Sequence, residues 1–137
     1  MSEPSDASRP EGLIAAGVFD AQALARLQEL DPGGKGGLLA RVLATYTQSL
    51  QRLLEQLRVA REAADLQGQR HVAHTLKSSS ASVGALKLSA LCADIERRLR
   101  DAAAEGLAQD LDPHLDALAD EGRHVLAVLR QSETPRA

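Results

Sequence analysis

The sequence predicts an all-α fold: an antiparallel four-helix bundle with a short additional N-terminal helix. Three observations lead there. Apolar residues recur at spacings of three and four along four long stretches. The core material is Leu, Ala and Val, with one Phe, one Tyr and no Trp in 137 residues. No stretch alternates with the period of two that a half-buried strand requires. Four amphipathic helices joined by short loops can bury their stripes only against one another, and the length suits one such domain.

Residues 1–17 read as a disordered or loosely packed segment, because Pro4, Pro10 and the Ser and Asp residues near them leave no periodic apolar positions. The bundle is assigned to residues 18–131, and residues 132–137 form a tail. The first helix begins after Asp20, an N-cap with Phe19 and Leu24 at the two positions of a hydrophobic staple and Leu27 and Leu30 further on. Asp31-Pro32-Gly33-Gly34 stops it. The second carries Leu39, Val42, Leu43, Tyr46, Leu50, Leu53, Leu54 and Leu57 in one stripe and runs to about residue 64. Asp65 caps the third, which turns Leu66, Val72, Ala73, Leu76, Ser80 and Val83 inward and breaks near Gly84. The fourth uses Leu88, Leu91, Cys92, Ile95, Leu99 and Ala102 up to Glu105-Gly106. The fifth starts after Pro113, tolerated in a first turn, and presents Leu115, Leu118, Ala119, Gly122, Val125, Leu126 and Leu129.

A net charge of −3 argues against general affinity for nucleic acid or an anionic membrane. The charge is unevenly spread: residues 66–104 hold six Lys and Arg against three Asp and Glu, residues 1–65 seven against nine, and residues 105–137 three against seven. No apolar run is long enough for a signal peptide or a membrane span. The single cysteine, Cys92, cannot close an intrachain disulfide, which suits a reducing, cytoplasmic setting. It falls in an apolar stripe and reads as core.

The polar residues that packing does not explain lie on the third helix. His74 projects away from that helix's apolar stripe, on a face shared with Gln67 and Arg70 in the preceding turns and with Lys77, Ser78 and Ala81 in the following ones. An exposed imidazole beside cations and then only small side chains is a nucleophile with an open approach. Cationic neighbours favour the neutral form of an imidazole and attract a phosphoryl group. His71 stands three positions before His74 and also points outward. No metal site is expected, since the inward stripes hold no Asp or Glu to complete one. Gly33-Gly34-Lys35-Gly36-Gly37 lacks the spacing of a phosphate-binding loop and follows a helix where a strand is needed, so it reads as a plain loop. His114 and His124 read as surface or boundary residues, and Arg97, Arg98 and Arg100 as a solvated face.

The run His74-Thr75-Leu76-Lys77-Ser78-Ser79-Ser80-Ala81-Ser82-Val83-Gly84 resembles the signature of histidine-containing phosphotransfer (HPt) domains, H-x-L-K-G-S-S-x-x-x-G. Leu91-Cys92 with Ile95-Glu96 is similar to the family's following helix, and the resemblance extends over residues 20–130. It departs at Ser78, which stands where the family has a small glycine and adds a hydroxymethyl group to the surface beside the histidine. A sensor-kinase dimerisation helix is not indicated, because Thr75 rather than an acidic residue follows the histidine and the first proline after it is Pro113.

The resemblance implies a phosphorelay intermediate. His74 would accept a phosphoryl group on Nε2 from a receiver-domain aspartyl phosphate and pass it to another receiver aspartate, with Lys77 screening charge and Arg70 assisting. Gln67, Ser78, Ala81 and Gly84 would complete the contact surface. It implies receiver domains as partners, those of a hybrid sensor kinase among them, with this chain either free-standing or a C-terminal module of such a kinase. It further implies no bound cofactor or metal in this chain, Mg²⁺ supplied by the receiver, no ATP-dependent kinase activity of its own, and a cytoplasmic monomer of bacterial signalling. The basic middle of the chain would then face a receiver's acidic active-site rim, with Arg97, Arg98 and Arg100 as lesser candidates for docking. The alternative is a non-catalytic helical adaptor, or a degenerate HPt-like bundle, that binds a receiver or enzyme without phosphotransfer.

Overall fold

The computed structural model describes residues 11–105 and 111–133. Its elements are α1 (Glu11–Ala15), α2 (Ala21–Glu29), a 3-10 turn at Pro32–Gly34, α3 (Leu38–Glu62), α4 (Leu66–Val83), α5 (Leu86–Glu105) and α6 (Asp112–Glu133). Successive long helices reverse direction through short connections. α3 packs on α4, α4 on α5, α5 on α6, and α6 back on α3, so the predicted four-helix bundle is the observed one. Leu43, Leu50, Leu76, Leu88, Ile95, Leu118 and Val125 meet at its centre, essentially closed to solvent.

The smaller elements cover one end. Asp20 accepts a hydrogen bond from the Ala23 backbone N–H at 3.1 Å and caps α2 as its sequence position predicts, with Phe19 and Leu24 both buried. Its own backbone N–H donates to the Gly84 carbonyl at 2.8 Å, which ties the start of α2 to the end of α4.

Several expectations need correction. Within the stretch assigned to a loose N-terminal segment, Glu11–Ala15 is helical and Leu13 is fully buried in the core, with α1 seated on α6. One turn of helix is not stable alone. Burying one leucine is worth about 1.5–3 kcal/mol, and that anchors it. Leu30 and Leu66, expected on inward stripes, are 74% and 56% exposed, because each lies at a helix end where the stripe has run past its partner. α6 continues to Glu133, past the boundary expected at 131. The expectations for residues 1–10, the Gly106 loop and residues 134–137, and the inward place given to the Ala102 side chain, lie outside the described residues.

The glycine-rich segment is a loop whose concavity is already filled. The Asp31 carboxylate accepts hydrogen bonds from the backbone N–H groups of Gly36 and Leu38, both at 3.1 Å, and these bonds draw its carboxyl below the ordinary value. A loop with its N–H groups turned onto its own aspartate caps α3 and has no free cradle for phosphate. Among the described residues no helix is long and apolar enough to cross a membrane.

Candidate functional site

The sequence of α4 contains no Asp or Glu, so its outward face carries only neutral or basic side chains. Asp65 starts the helix by accepting from the Gly68 N–H at 3.0 Å, and Gly84 ends it in the left-handed conformation, φ 86°. Between those ends Val72, Ala73, Leu76, Ser80 and Val83 are buried, and the opposite face is turned outward. His74 lies there with 65% of its side chain exposed.

The surroundings of the ring differ from the expectation in one respect. Its Nδ1 is 2.6 Å from Oε2 of Glu96 on α5, and Oε1 of the same carboxylate is 2.5 Å from the Lys77 ammonium. Cations alone therefore do not surround the imidazole, since a carboxylate with only 11% of its side chain exposed bridges His74 and Lys77. The expectation that the inward stripes hold no acidic group is overturned at this residue. Its signal was present in the sequence: Glu96 follows Cys92 by four and precedes Leu99 by three, a charged residue inside an apolar stripe.

The chemistry of the trio follows from its charges. The hydrogen bond from Lys77 draws the Glu96 carboxyl below its ordinary value against the upward push of burial, and the His74 contact adds to the lowering. An ionised carboxylate can only accept. In the neutral imidazole the hydrogen is therefore on Nδ1, and the Nε2 lone pair is the free one. Ser89 Oγ on α5 donates to the Lys77 carbonyl at 2.9 Å, which fixes the two helices in register beside the trio. Beneath it, the buried hydroxyls of Tyr46 on α3 and Ser80 on α4 are 2.7 Å apart.

The remaining predicted residues divide. Gln67, Arg70, Ser78 and Ala81 are exposed on the outward part of α4 with His74. Gly84 is not part of that surface. It is buried at the helix end, where an added Cβ would lie 2.9 Å from Ala23 Cβ and 3.0 Å from Asp20 N, so its role is structural. His71 is exposed on the same helix, and no three His, Cys, Asp or Glu residues are grouped to hold a metal among the described residues. Arg97 and Arg98 both bond Asp94 on their own helix. His114 lies 3.7 Å from that carboxylate, and His124 is exposed. Cys92 is buried, and burial pushes its thiol up to about 12.

The family model described as the Hpt domain matches residues 41–131. No curated protein matches the chain in sequence. Among solved structures, the histidine-containing phosphotransfer protein B (HptB) of Pseudomonas aeruginosa PAO1 is 26% identical, covering 83% of this chain and 92% of its own, with a TM-score of 0.69. The histidine-containing phosphotransfer protein ZmHP2 of maize is 25% identical over 89% of this chain and 92% of its own, with a TM-score of 0.70. A rice protein, 21% identical over 89% of both chains with a TM-score of 0.57, shares the fold.

Proposed function

The chain belongs to the Hpt domain family and is a histidine phosphotransfer intermediate of a phosphorelay, and from that premise we propose that His74 is its phospho-acceptor, through Nε2. The observation that carries this assignment is the 2.6 Å contact between His74 Nδ1 and Glu96, which leaves Nε2 as the ring's outward nucleophile.

The transfer balances without any group bound by this chain. The Nε2 lone pair attacks phosphorus of a receiver's aspartyl phosphate, the P–O bond to the aspartate breaks, and the receiver recovers its carboxylate. The phosphorylated ring carries positive charge with its hydrogen still on Nδ1, and Glu96 is placed to stabilise that charge. The reverse sequence onto a second receiver restores the neutral imidazole. Phosphoryl transfer depends more on in-line positioning and charge compensation than on covalent help, so a small partner suffices when the receiver supplies Mg²⁺. Lys77 has three N–H donors and gives one to Glu96, so two remain for phosphoryl oxygens. Gln67, Ser78 and Ala81 form the low rim on which a receiver rests. The chain acts as a cytoplasmic carrier and not as a kinase.

The test mixes the purified chain with a phosphorylated receiver and Mg²⁺ and follows the label. Acid-labile, base-stable phosphate should appear on this chain and be absent from His74→Gln at unchanged helical signal. Label that persists in that variant removes the assignment.

A further inference from the structure

We infer that the Ser78 hydroxyl hydrogen-bonds the phosphoryl group carried on Nε2 of His74 and prolongs its life, at the one position where this chain leaves the family signature. The inference rests on the carrier reading and adds to it a contact within this chain alone, which needs nothing from a receiver.

The hydroxyl is available. Of the four serines between residues 78 and 82, three spend theirs on the protein. Ser79 donates to the Leu76 carbonyl at 3.3 Å and Ser82 to the Ser78 carbonyl at 3.0 Å, back-bonding of the kind serine makes inside a helix, while Ser80 is paired with Tyr46. Ser78 is exposed, and its hydroxyl has no hydrogen-bond partner among the described residues. Such a hydroxyl turns about its own C–O bond to meet an anion.

Its position follows from helix geometry. At about 100° per residue, Lys77 lies about 60° to one side of His74 and Ser78 about 40° to the other. The Lys77 side faces α5, because Lys77 and His74 Nδ1 both bond Glu96. Ser78 therefore flanks the ring on the side away from α5. The two nitrogens of an imidazole point in nearly opposite directions, so a ring with Nδ1 on Glu96 turns Nε2 toward that same flank. Cβ atoms four apart on a helix are about 5–6 Å from each other, a gap that an imidazole bearing a phosphoryl group spans. The Ser78 side chain also leans toward the N-terminus of α4, over the histidine's turn. Thr75 is the other hydroxyl beside the ring, but it is half-buried and turned about 100° from His74.

Lys77 and Ser78 thus bracket the phosphoryl oxygens, a cation on one flank and a neutral donor on the other. The consequence is a longer-lived N–P bond. In a loose transition state the departing phosphoryl group gives up negative charge, so a donor on its oxygens holds the phosphohistidine more strongly than the transition state for its hydrolysis. The hydroxyl does not take the phosphoryl group itself. In-line displacement approaches phosphorus from the side opposite Nε2, whereas a residue of the same helix reaches the flank, where the oxygens are.

The experiment loads the full chain with phosphoramidate, a small N–P donor that releases ammonia, and then removes the donor. Decay of the phosphorus NMR resonance that His74→Gln lacks is followed at neutral pH with metals chelated. Ser78→Ala should lose the phosphoryl group about three- to tenfold faster than the parent at unchanged helical content. Ser78→Thr, which keeps the hydroxyl, should decay near the parental rate. Equal decay in all three overturns the contact. So does slower decay in Ser78→Ala, which makes the hydroxyl a guide for water, and so does faster decay that Ser78→Thr does not restore, which makes the effect one of packing. Acid-stable phosphate that depends on Ser78 overturns it too, as the mark of a phosphoserine. No such resonance in the parent removes the nucleophile and both readings with it. Labelling by phosphorylated receivers and Mg²⁺ is measured separately. A parent that takes no label from any receiver of the same genome, with decay still dependent on Ser78, keeps the contact and removes the carrier reading; prompt labelling with equal decay does the reverse.

Discussion

Ala64 and Gly84 occupy equivalent left-handed positions at the C-terminal ends of α3 and α4, with φ of 51° and 86°. The bonding around them is the same. Asp65 N–H donates to the Ala60 carbonyl at 2.8 Å and Ala64 N–H to Arg61 at 3.1 Å; Ala85 N–H donates to Ser80 at 2.8 Å and Gly84 N–H to Ala81 at 3.2 Å. Both are Schellman closures, and together they frame the histidine helix. A left-handed non-glycine residue costs about 1–2 kcal/mol, while glycine loosens the unfolded chain by about 0.4–1 kcal/mol. The first effect wins, so Ala64→Gly should stabilise the protein by about 0.5–1 kcal/mol in urea unfolding. Gly84→Ala has no such compensation and meets Ala23 and Asp20, so it should lower the midpoint clearly.

How far the sequence carried the description depends on which force acts at each place. The long helices were legible because their stripes are buried by neighbours of similar length. The α2 cap was legible because Asp20 acts within its own turn. Leu13 was not, since a single apolar residue in a polar stretch has no periodicity and its burial depends on α6. At the site, the outward direction of His74 followed from α4 alone. Its partner did not, because Glu96 arrives from another helix, and only its place inside an apolar stripe hinted at a buried role.

Glu96 should matter more for transfer than for folding. Glu96→Gln keeps the shape but removes the ionised acceptor that orients Nδ1–H and balances the phosphorylated ring. A hydrogen bond to a charged group is worth about 1.5–3 kcal/mol, so phosphotransfer should slow roughly 10- to 100-fold with the bundle intact. Quench-flow transfer from a phosphorylated receiver measures it. A parental rate would show that the ring needs no partner.

The same carboxylate predicts a pH dependence of stability. Lys77, then His74, holds its pKa in the folded protein below the ordinary 4.5. The unfolded chain thus binds its proton first as pH falls, and the stabilisation is present above the ordinary value and lost as pH drops through the lower folded one. Urea midpoints measured from about pH 6 to about pH 3 should decline less steeply in Glu96→Gln than in the parent. Parallel declines would mean that the trio contributes no pH-dependent stability.

Cys92 should report on opening of the bundle. It is buried, and its thiol is pushed up to about 12 by that burial, so almost no thiolate is present or reachable near neutral pH. A thiol reagent at about pH 8 should react only as fast as the bundle opens, and reaction should accelerate with urea in step with loss of helical signal. Prompt labelling in the absence of denaturant would mean that α5 is not packed as described.

The bond between Tyr46 and Ser80 offers a way to separate support of the site from its chemistry. The two hydroxyls satisfy each other at 2.7 Å, and Ser80 is fully closed to solvent on the inward face of the histidine helix. Tyr46→Phe removes one partner and leaves the other buried without a bond, at a cost of about 1–3 kcal/mol. Tyr46→Phe/Ser80→Ala removes both, so no polar group is stranded, and the double variant should recover part of the loss despite being the larger change. Neither hydroxyl touches the trio of His74, Lys77 and Glu96, so both variants should transfer phosphate near the parental rate while their urea midpoints differ. If the double variant is instead as unstable as the sum of its two single changes, the hydroxyls are independent and the pair does not hold α3 to α4.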